Sequence, residues 1–348
     1  MSTLADRADA AELADRAAAL AAHLQGLDGV DPGWAAVFAR VPRHVFVPAF
    51  YPTLDTDGDR PPRLLNRTDP EHHQEWLDTV YTDRSLVTQC ALTPGTTQLW
   101  QSTSSSTRPS LMARMLTLLD LPTNGDGTDG GRQASDAGGG EVRVLEIGTG
   151  TGYNAALLCE RLGDAAVTSV DLDPGLVATA AHRLATLGHH PVLVAADGAD
   201  GLPDRGPYHR ILATCAVPAL PPAWIEQLHP GGLVVADIRG GLASHLLVAR
   251  RDGGQLVGRF LAEPGHFMWM RRDITNPLRD GGTFSTHIDY DDAHTRPSSI
   301  DPALLDHPDA RFFLQLAAPE VDRIWTSRRD GTPIIRITAT TGDWVELD

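Results

Sequence analysis

The chain has 348 residues, a formal net charge of -16 and three widely separated cysteines, Cys90, Cys159 and Cys215, enough length for one large domain with an appendage or for two domains. Acidity of this size argues against a nucleic-acid backbone or an anionic membrane surface as partner, and no apolar run approaches the roughly 20 residues of a membrane span. Without a C-x-x-C pair, the cysteines read as reduced thiols of a cytoplasmic protein.

Ser2 to Leu27 is alanine-rich, with Leu4, Leu13, Leu20 and Leu24 set among Asp and Arg, the pattern of an amphipathic helix. It has no basic segment ahead of an apolar core, so no export signal is expected. A second helix is expected from Pro32 to Arg40, since proline suits a first helical turn. The prolines of VPRHVFVPAFYP, from Val41 to Pro52, forbid a continuous helix. Asp55 to Asp69 is polar and reads as an exposed loop, followed by Tyr81-Thr82-Asp83-Arg84 and a β-like SLVTQCAL. Asp83 has two readings, closure over a cofactor or stabilisation of its own loop.

Gln101 to Pro109, QSTSSSTRP, reads by composition as a flexible serine linker. The helix that follows, SLMARMLTLLDL from Ser110 to Leu121, changes that reading. It puts the hydroxyl cluster at a helix N-terminus, a place suited to gripping a carboxylate. Residues 122–140 are low-complexity with almost no apolar groups and are expected to be a disordered surface loop.

The centre of the chain is VRVLEIGTGTGYNAALL, Val142 to Leu158. Val142, Val144, Leu145 and Ile147 form the apolar, β-branched run of a strand covered on both faces. Gly148, Gly150 and Gly152 then alternate with Thr149 and Thr151, and a helix begins at Tyr153. Such a turn presents free N–H groups and close backbone approach to a ligand. Glu146 ends the strand, and the next strand ends at Asp171 and Leu172, where an acidic side chain accepts ribose hydroxyls. The spacing is G-x-G-x-G rather than the dinucleotide G-x-G-x-x-G, which favours S-adenosylmethionine over a nicotinamide cofactor.

Beyond the turn, strands and helices alternate. Helix Gly175–Gly188 follows Asp173-Pro174, PVLVAADG ends at Asp197-Gly198 near the expected adenine edge, and YHRILATCAV is a buried strand. PPAWIEQLHPGG reads as a helix stopped by Gly231-Gly232, and LVVADI and HLLVARR as further strands. The expected fold is therefore α/β, a doubly wound sheet with its ligand beyond the strands' carboxyl ends. Toward the C-terminus, ARFFLQLAAP, VDRIWTS, IIRITATT and DWVEL read as short antiparallel strands. They form either a cap on the sheet or an edge for docking an extended peptide.

The segments VPRHVFVP, YTDRSL, STRPSLMARML, VLEIGTGTGYNAALL, DGADGLPDRGPYHRILAT and PPAWIEQLHPGG resemble, in order, those of protein-L-isoaspartate O-methyltransferases. The resemblance runs from about Val41 to Arg272 and implies a Rossmann-like fold that uses S-adenosylmethionine and releases S-adenosylhomocysteine. It also implies methylation of a carboxylate on an aspartyl or isoaspartyl residue, with the ester closing to a succinimide. The family's T-I-S-Q-P reads here Ser105-Ser106-Thr107-Arg108-Pro109, so Thr107 stands in the place of the active-site serine and Arg108 in that of glutamine. This version, with the extra C-terminal region, is similar to homologues encoded with ribosomal peptide natural products, the graspetides and lanthipeptides. There the partner is a modified precursor peptide.

The expected division is an N-terminal helical segment at 1–85, the cofactor-binding core at 86–272 and a β-rich accessory region at 273–348. The expected catalytic residues are Ser105, Ser106, Thr107 and Arg108. The expected cofactor residues are Glu146, Gly148, Thr149, Gly150, Thr151, Gly152, Asp171, Leu172, Asp197 and Gly198. A carboxylate with a pKa of about 4 is already ionised at neutral pH, so no general base is required. Neither is a metal. His72-His73 and His189-His190 lie in polar segments and read as surface histidines, and Trp100 and Trp224 as core. General isoaspartyl repair, and a peptide escort that binds S-adenosylmethionine without turnover, remain the competing functions.

Overall fold

The computed structural model describes residues 4–54, 61–92, 100–121, 142–272, 302–318, 321–329, 332–339 and 344–347. The disordered loop expected at 122–140 lies outside these residues. Helix α1 (Leu4–Gln25) and helix α2 (Pro32–Arg40) open the chain, the second with Asp31 as N-cap accepting from the Gly33 N–H. Pro42 and Pro48 confine helix α3 (Arg43–Phe46) to one turn. Strand β1 (Ala49–Phe50) pairs with β2 (Leu65–Asn66), so the last part of the segment read as loop returns to the body of the protein. Helix α4 (His73–Val80) follows, with Trp76, Leu77 and Val80 buried.

Strand β3 (Leu86–Leu92) pairs antiparallel with β4 (Trp100–Ser106). The serine-rich stretch is thus a paired strand and not a linker, because β3 offers it a ladder of main-chain partners that composition does not reveal. Helix α5 (Pro109–Leu118) begins three residues after β4 ends, with Pro at its first turn.

The core elements are strand β5 (Val144–Ile147), helix α6 (Tyr153–Leu162), β6 (Val167–Asp171), α7 (Pro174–Thr186), β7 (Val192–Ala195), β8 (Tyr208–Val217), α8 (Pro222–Gln227), β9 (Leu228–Arg239), β10 (Ser244–Asp252) and β11 (Gln255–Phe260). Their seven strands form one sheet in the order β11-β10-β9-β8-β5-β6-β7. Pairings from β7 through β9 are parallel, and β10 and β11 add an antiparallel edge. Alternation along the central strands feeds two cores. Val144, Leu212 and Val235 join the N-terminal helices on one face, while Leu145, Ile211 and Val234 pack with Trp224 and Phe312 on the other.

Three details depart from expectation. The PPAWIEQLHPGG helix stops at Gln227, and β9 already begins at Leu228. Strand β11 was not foreseen. In the C-terminal region, ARFFLQLAAP is not a strand but lies in helix α9 (Pro308–Ala317). Phe312 and Gln315 are its buried positions, three residues apart, so one stripe faces the body while Phe313 and Leu316 are exposed. A short apolar run satisfies both periods, and here the Pro308 first turn and the single buried stripe select the helix. Strands β12 (Val321–Arg329), β13 (Thr332–Ala339) and β14 (Trp344–Leu347) form the expected antiparallel sheet.

Candidate active site

The turn after β5 sits at the carboxyl end of the parallel strands. Gly148, Gly150 and Gly152 all have positive φ, +100°, +51° and +84°, conformations that side chains resist. Their surroundings differ. A Cβ on Gly148 would lie 2.7 Å from Thr214 Oγ1 and one on Gly152 2.9 Å from Ala180 Cβ, so both serve close packing. At Gly150 the nearest atom is Ser104 Oγ at 3.8 Å, followed by main-chain oxygens at 4.0 Å. Gly150 is thus the least crowded of the three, its Cβ position in ordinary contact with β4.

Asp171, at the end of β6, accepts the Gly150 N–H at 2.8 Å and the Asp173 N–H at 3.1 Å. Two further lone-pair positions remain for ligand hydroxyls. Burial pushes its carboxyl above the ordinary range, opposed by those two N–H groups and by the Arg271 guanidinium. Leu172 beside it is half-buried. Asp197 uses one oxygen to accept the Ala199 N–H and turns the other toward Arg272 Nε at 3.8 Å. Gly198 is held against Ile147 and its carbonyl accepts the Trp224 indole N–H at 2.7 Å. Trp224 is therefore core, as expected, and also fixes the Asp197 turn.

Glu146, Thr149 and Thr151 are buried. Glu146 accepts Ser169 O–H at 2.5 Å and Asn154 N–H at 2.6 Å. Thr149 Oγ1 shares a 2.6 Å bond with Ser169, and Thr151 Oγ1 accepts the Tyr153 N–H. The Glu146 carboxylate, expected among the cofactor residues from its position two residues before the first glycine, makes these two internal bonds. Burial pushes its pKa up to about 7.

On the other wall, Ser104 and Ser106 are buried, Ser105 and Thr107 half-buried and Arg108 exposed. The Arg108 N–H donates to Ser85 Oγ and the Ser110 N–H to Asp83 Oδ1 at 2.8 Å. Asp83 thus caps α5, which supports loop stabilisation over cofactor closure and occupies a donor that seemed available to a substrate carboxylate. Gln89 Nε2 reaches Asp173 Oδ2 at 3.2 Å while its Oε1 accepts from Thr103 Oγ1, so β3 and β4 are tied to the start of α7. Arg271 donates to the Thr103 carbonyl at 3.1 Å.

Gln89, Ser104 and Arg271 were missed from the sequence. Gln89 alone left a trace, as a polar residue within the β-like segment SLVTQCAL. The segment around Arg271 is held at the strand ends by the Phe267 N–H on the buried Asp237 carboxylate and by main-chain bonds of Met268 and Met270 with Ala216. Such placement follows from tertiary structure only.

His189 is not a plain surface histidine. Its Nδ1 lies 2.9 Å from Asp164 Oδ1, and Cys159 joins them in a group whose ligand atoms lie within 4.8 Å of one another. Asp164 also accepts the His190 N–H, and burial pushes the Cys159 thiol far up.

Residues 72–264 match the family model described as protein-L-isoaspartate(D-aspartate) O-methyltransferase (PCMT). The chain belongs to this family. A protein-L-isoaspartate O-methyltransferase from Serratia proteamaculans is 34% identical over 206 residues, covering 59% of this chain and 86% of that protein. One from Paramagnetospirillum magneticum is 39% identical over 130 residues, 35% of this chain and 58% of that protein. A solved protein-L-isoaspartate O-methyltransferase superposes with a TM-score of 0.51 at 26% identity, over 72% of this chain and 64% of the other. A Plasmodium falciparum structure, described as a PCMT in complex with S-adenosyl-L-homocysteine, gives a TM-score of 0.50 at 12% identity, over 74% and 99%. The PCMT fold here is the Rossmann-like one of S-adenosylmethionine-dependent methyltransferases. Among the described residues, no helix is long and apolar enough to cross a membrane.

Proposed function

We propose that this PCMT chain methylates the free carboxylate of an isoaspartyl residue in a peptide or protein, with S-adenosylmethionine as methyl donor and S-adenosylhomocysteine as product. One observation carries the reading: β4, which leads into Thr107 and α5, lies against the glycine turn, with Ser104 Oγ and the Ser105 carbonyl 3.8 and 4.0 Å from the Cβ position of Gly150. The hydroxyl-bearing segment and the cofactor turn are thus neighbours. When bound, S-adenosylmethionine supplies an electrophilic methyl group on its sulfonium. The residues fit it: Gly150 carries no side chain to stand between the turn and the methionine portion, Asp171 keeps acceptor positions for ribose hydroxyls, and Leu172, Asp197 and Gly198 border the adenine side.

The chain's own work is orientation. The substrate carboxylate is ionised already, so Thr107, with Ser105 beside it, holds one oxygen in line with the methyl and the closed site excludes water. Arg108, exposed at the N-cap of α5, lies at the rim, where its charge attracts the carboxylate weakly. The product ester carries a good leaving group. The next backbone nitrogen displaces methanol to form a succinimide, and water then opens the ring to aspartate or isoaspartate.

Repair of ordinary isoaspartyl proteins fits the family match at least as well as a dedicated biosynthetic task. The second reading, modification of a crosslinked ribosomal precursor peptide, draws on the Thr107-Arg108 departure and on the β12–β14 sheet beyond the matched residues. Intact mass spectrometry with S-adenosylmethionine separates the readings. Methylene gain followed by methanol loss on a plain isoaspartyl peptide supports repair; the same change on a modified precursor alone supports the biosynthetic task. No mass change on either peptide, with S-adenosylmethionine still bound, refutes both and leaves the escort.

A further inference from the structure

Arg43, the arginine of VPRHVFVP, has no exposed surface at all. A buried guanidinium is normally met by a carboxylate, yet among the described residues none forms an ion pair with it. Its acceptors are neutral. NH1 donates to the Val80 and Thr82 carbonyls at 3.1 and 2.8 Å, and NH2 to the Arg84 carbonyl at 2.9 Å. Nε and NH2 both reach Ser106 Oγ at 3.4 Å, and NH2 also reaches the Thr107 carbonyl at 3.3 Å. Nearby Tyr81 and Tyr153 supply no anion, because burial pushes both phenols up. Asp83 acts on Arg43 through space but forms no ion pair with it, and its Oδ1 accepts the Ser110 N–H. Desolvation lowers Arg43 to about 10, so it stays charged at neutral pH.

One cation therefore ties the 80–84 turn to the two residues that end β4 and begin the substrate wall. Arginine has only donors, so at Ser106 it consumes lone pairs and leaves the hydroxyl proton free to donate. At Thr107 it fixes the carbonyl, and with it the peptide plane from which the Thr107 side chain projects.

We propose that Arg43 is a positioning residue for methyl transfer: it fixes the Ser106–Thr107 backbone and keeps a positive charge, with no ion-paired carboxylate among the described residues, behind the place where the substrate carboxylate docks. This rests on the reading of Thr107 as a substrate-carboxylate residue. The charge is useful because the peptide brings an anion. An isoaspartyl carboxylate bound at the Ser106–Thr107 segment faces, through that segment, a cation whose desolvation was already met during folding.

The first test needs no mutation. With the chain saturated by S-adenosylhomocysteine, which lacks the sulfonium charge, the affinities of an isoaspartyl peptide and its neutral isoasparaginyl analogue are compared by calorimetry. A preference for the carboxylate of at least about tenfold is expected, and equal affinity overturns the proposal. Two variants then locate the charge. Arg43→Met is expected to abolish that preference and raise KM for the isoaspartyl peptide at least about tenfold. Arg43→Lys, which keeps charge but loses the planar fork, is expected to retain the preference and lower kcat. Either variant with parental kcat, KM and preference overturns the proposal. S-adenosylhomocysteine affinity within about twofold of the parent shows that the cofactor half is intact. If Arg43→Met does not fold, the parent comparison and Arg43→Lys decide. A parent that methylates no isoaspartyl peptide defeats the functional reading instead, a distinct result.

Discussion

Replacing Glu146 by glutamine isolates the electrostatic cost of the buried carboxylate beneath the glycine turn. Its ordinary pKa of 4.5 rises to about 7 in the folded chain, because burial outweighs the bonds from Ser169 and Asn154, and Asp171 adds to the shift. The raised value means that the folded state holds the proton more tightly than the unfolded state. Stability from this group is thus complete below pH 4.5 and is lost as pH rises through 7, a span of about 3 kcal/mol. His44 slopes the other way. Burial and Arg67 lower it to about 4, so its contribution is present above pH 6.5 and is lost on acidification. In the parent the two slopes oppose each other between pH 4.5 and 6.5; in Glu146→Gln only the His44 slope remains. Urea unfolding followed by fluorescence of the buried Trp34, Trp76 and Trp224, repeated from pH 5 to 8, gives the difference curve. The variant is expected to gain most of that ~3 kcal/mol relative to the parent across the range. Parallel curves would falsify the assignment of the shift to Glu146.

Asp171→Asn keeps the shape of the ribose acceptor but not its charge, and S-adenosylmethionine affinity is expected to fall at least about tenfold by calorimetry; unchanged affinity removes the assignment. Thr107→Ala is expected to cut turnover far more than cofactor affinity, and intact turnover would place the carboxylate grip elsewhere. Asp83→Ala strips the cap from α5 and is expected to cost about 1 kcal/mol in urea unfolding while S-adenosylhomocysteine affinity holds. A fall in that affinity would return Asp83 to the cofactor.

Much of the cofactor half was legible because its signals are local. The apolar run of β5, the glycine turn, and the Asp173-Pro174 start of α7 each lie within a few residues, and chain-local rules governed them. The same rules misread β4, whose serines are strand only because β3 pairs with them, and ARFFLQLAAP, where one buried stripe decided for helix. The site residues divide along the same line. Asp171 followed from the end of a strand, whereas Arg271 arrives on a segment fastened by Asp237 and Ala216, and Glu146 turns inward to Ser169 and Asn154. Arg43 is the instructive case between them. An arginine amid Val41, Val45, Phe46 and Val47 is a local anomaly, since a charge in an apolar run must find partners in the fold. Its partners lie between 37 and 64 residues away, and none carries a negative charge. The sequence can flag such a residue; only the fold reveals that, among the described residues, no carboxylate forms an ion pair with it. That absence turns a structural arginine into a candidate partner for an anionic substrate.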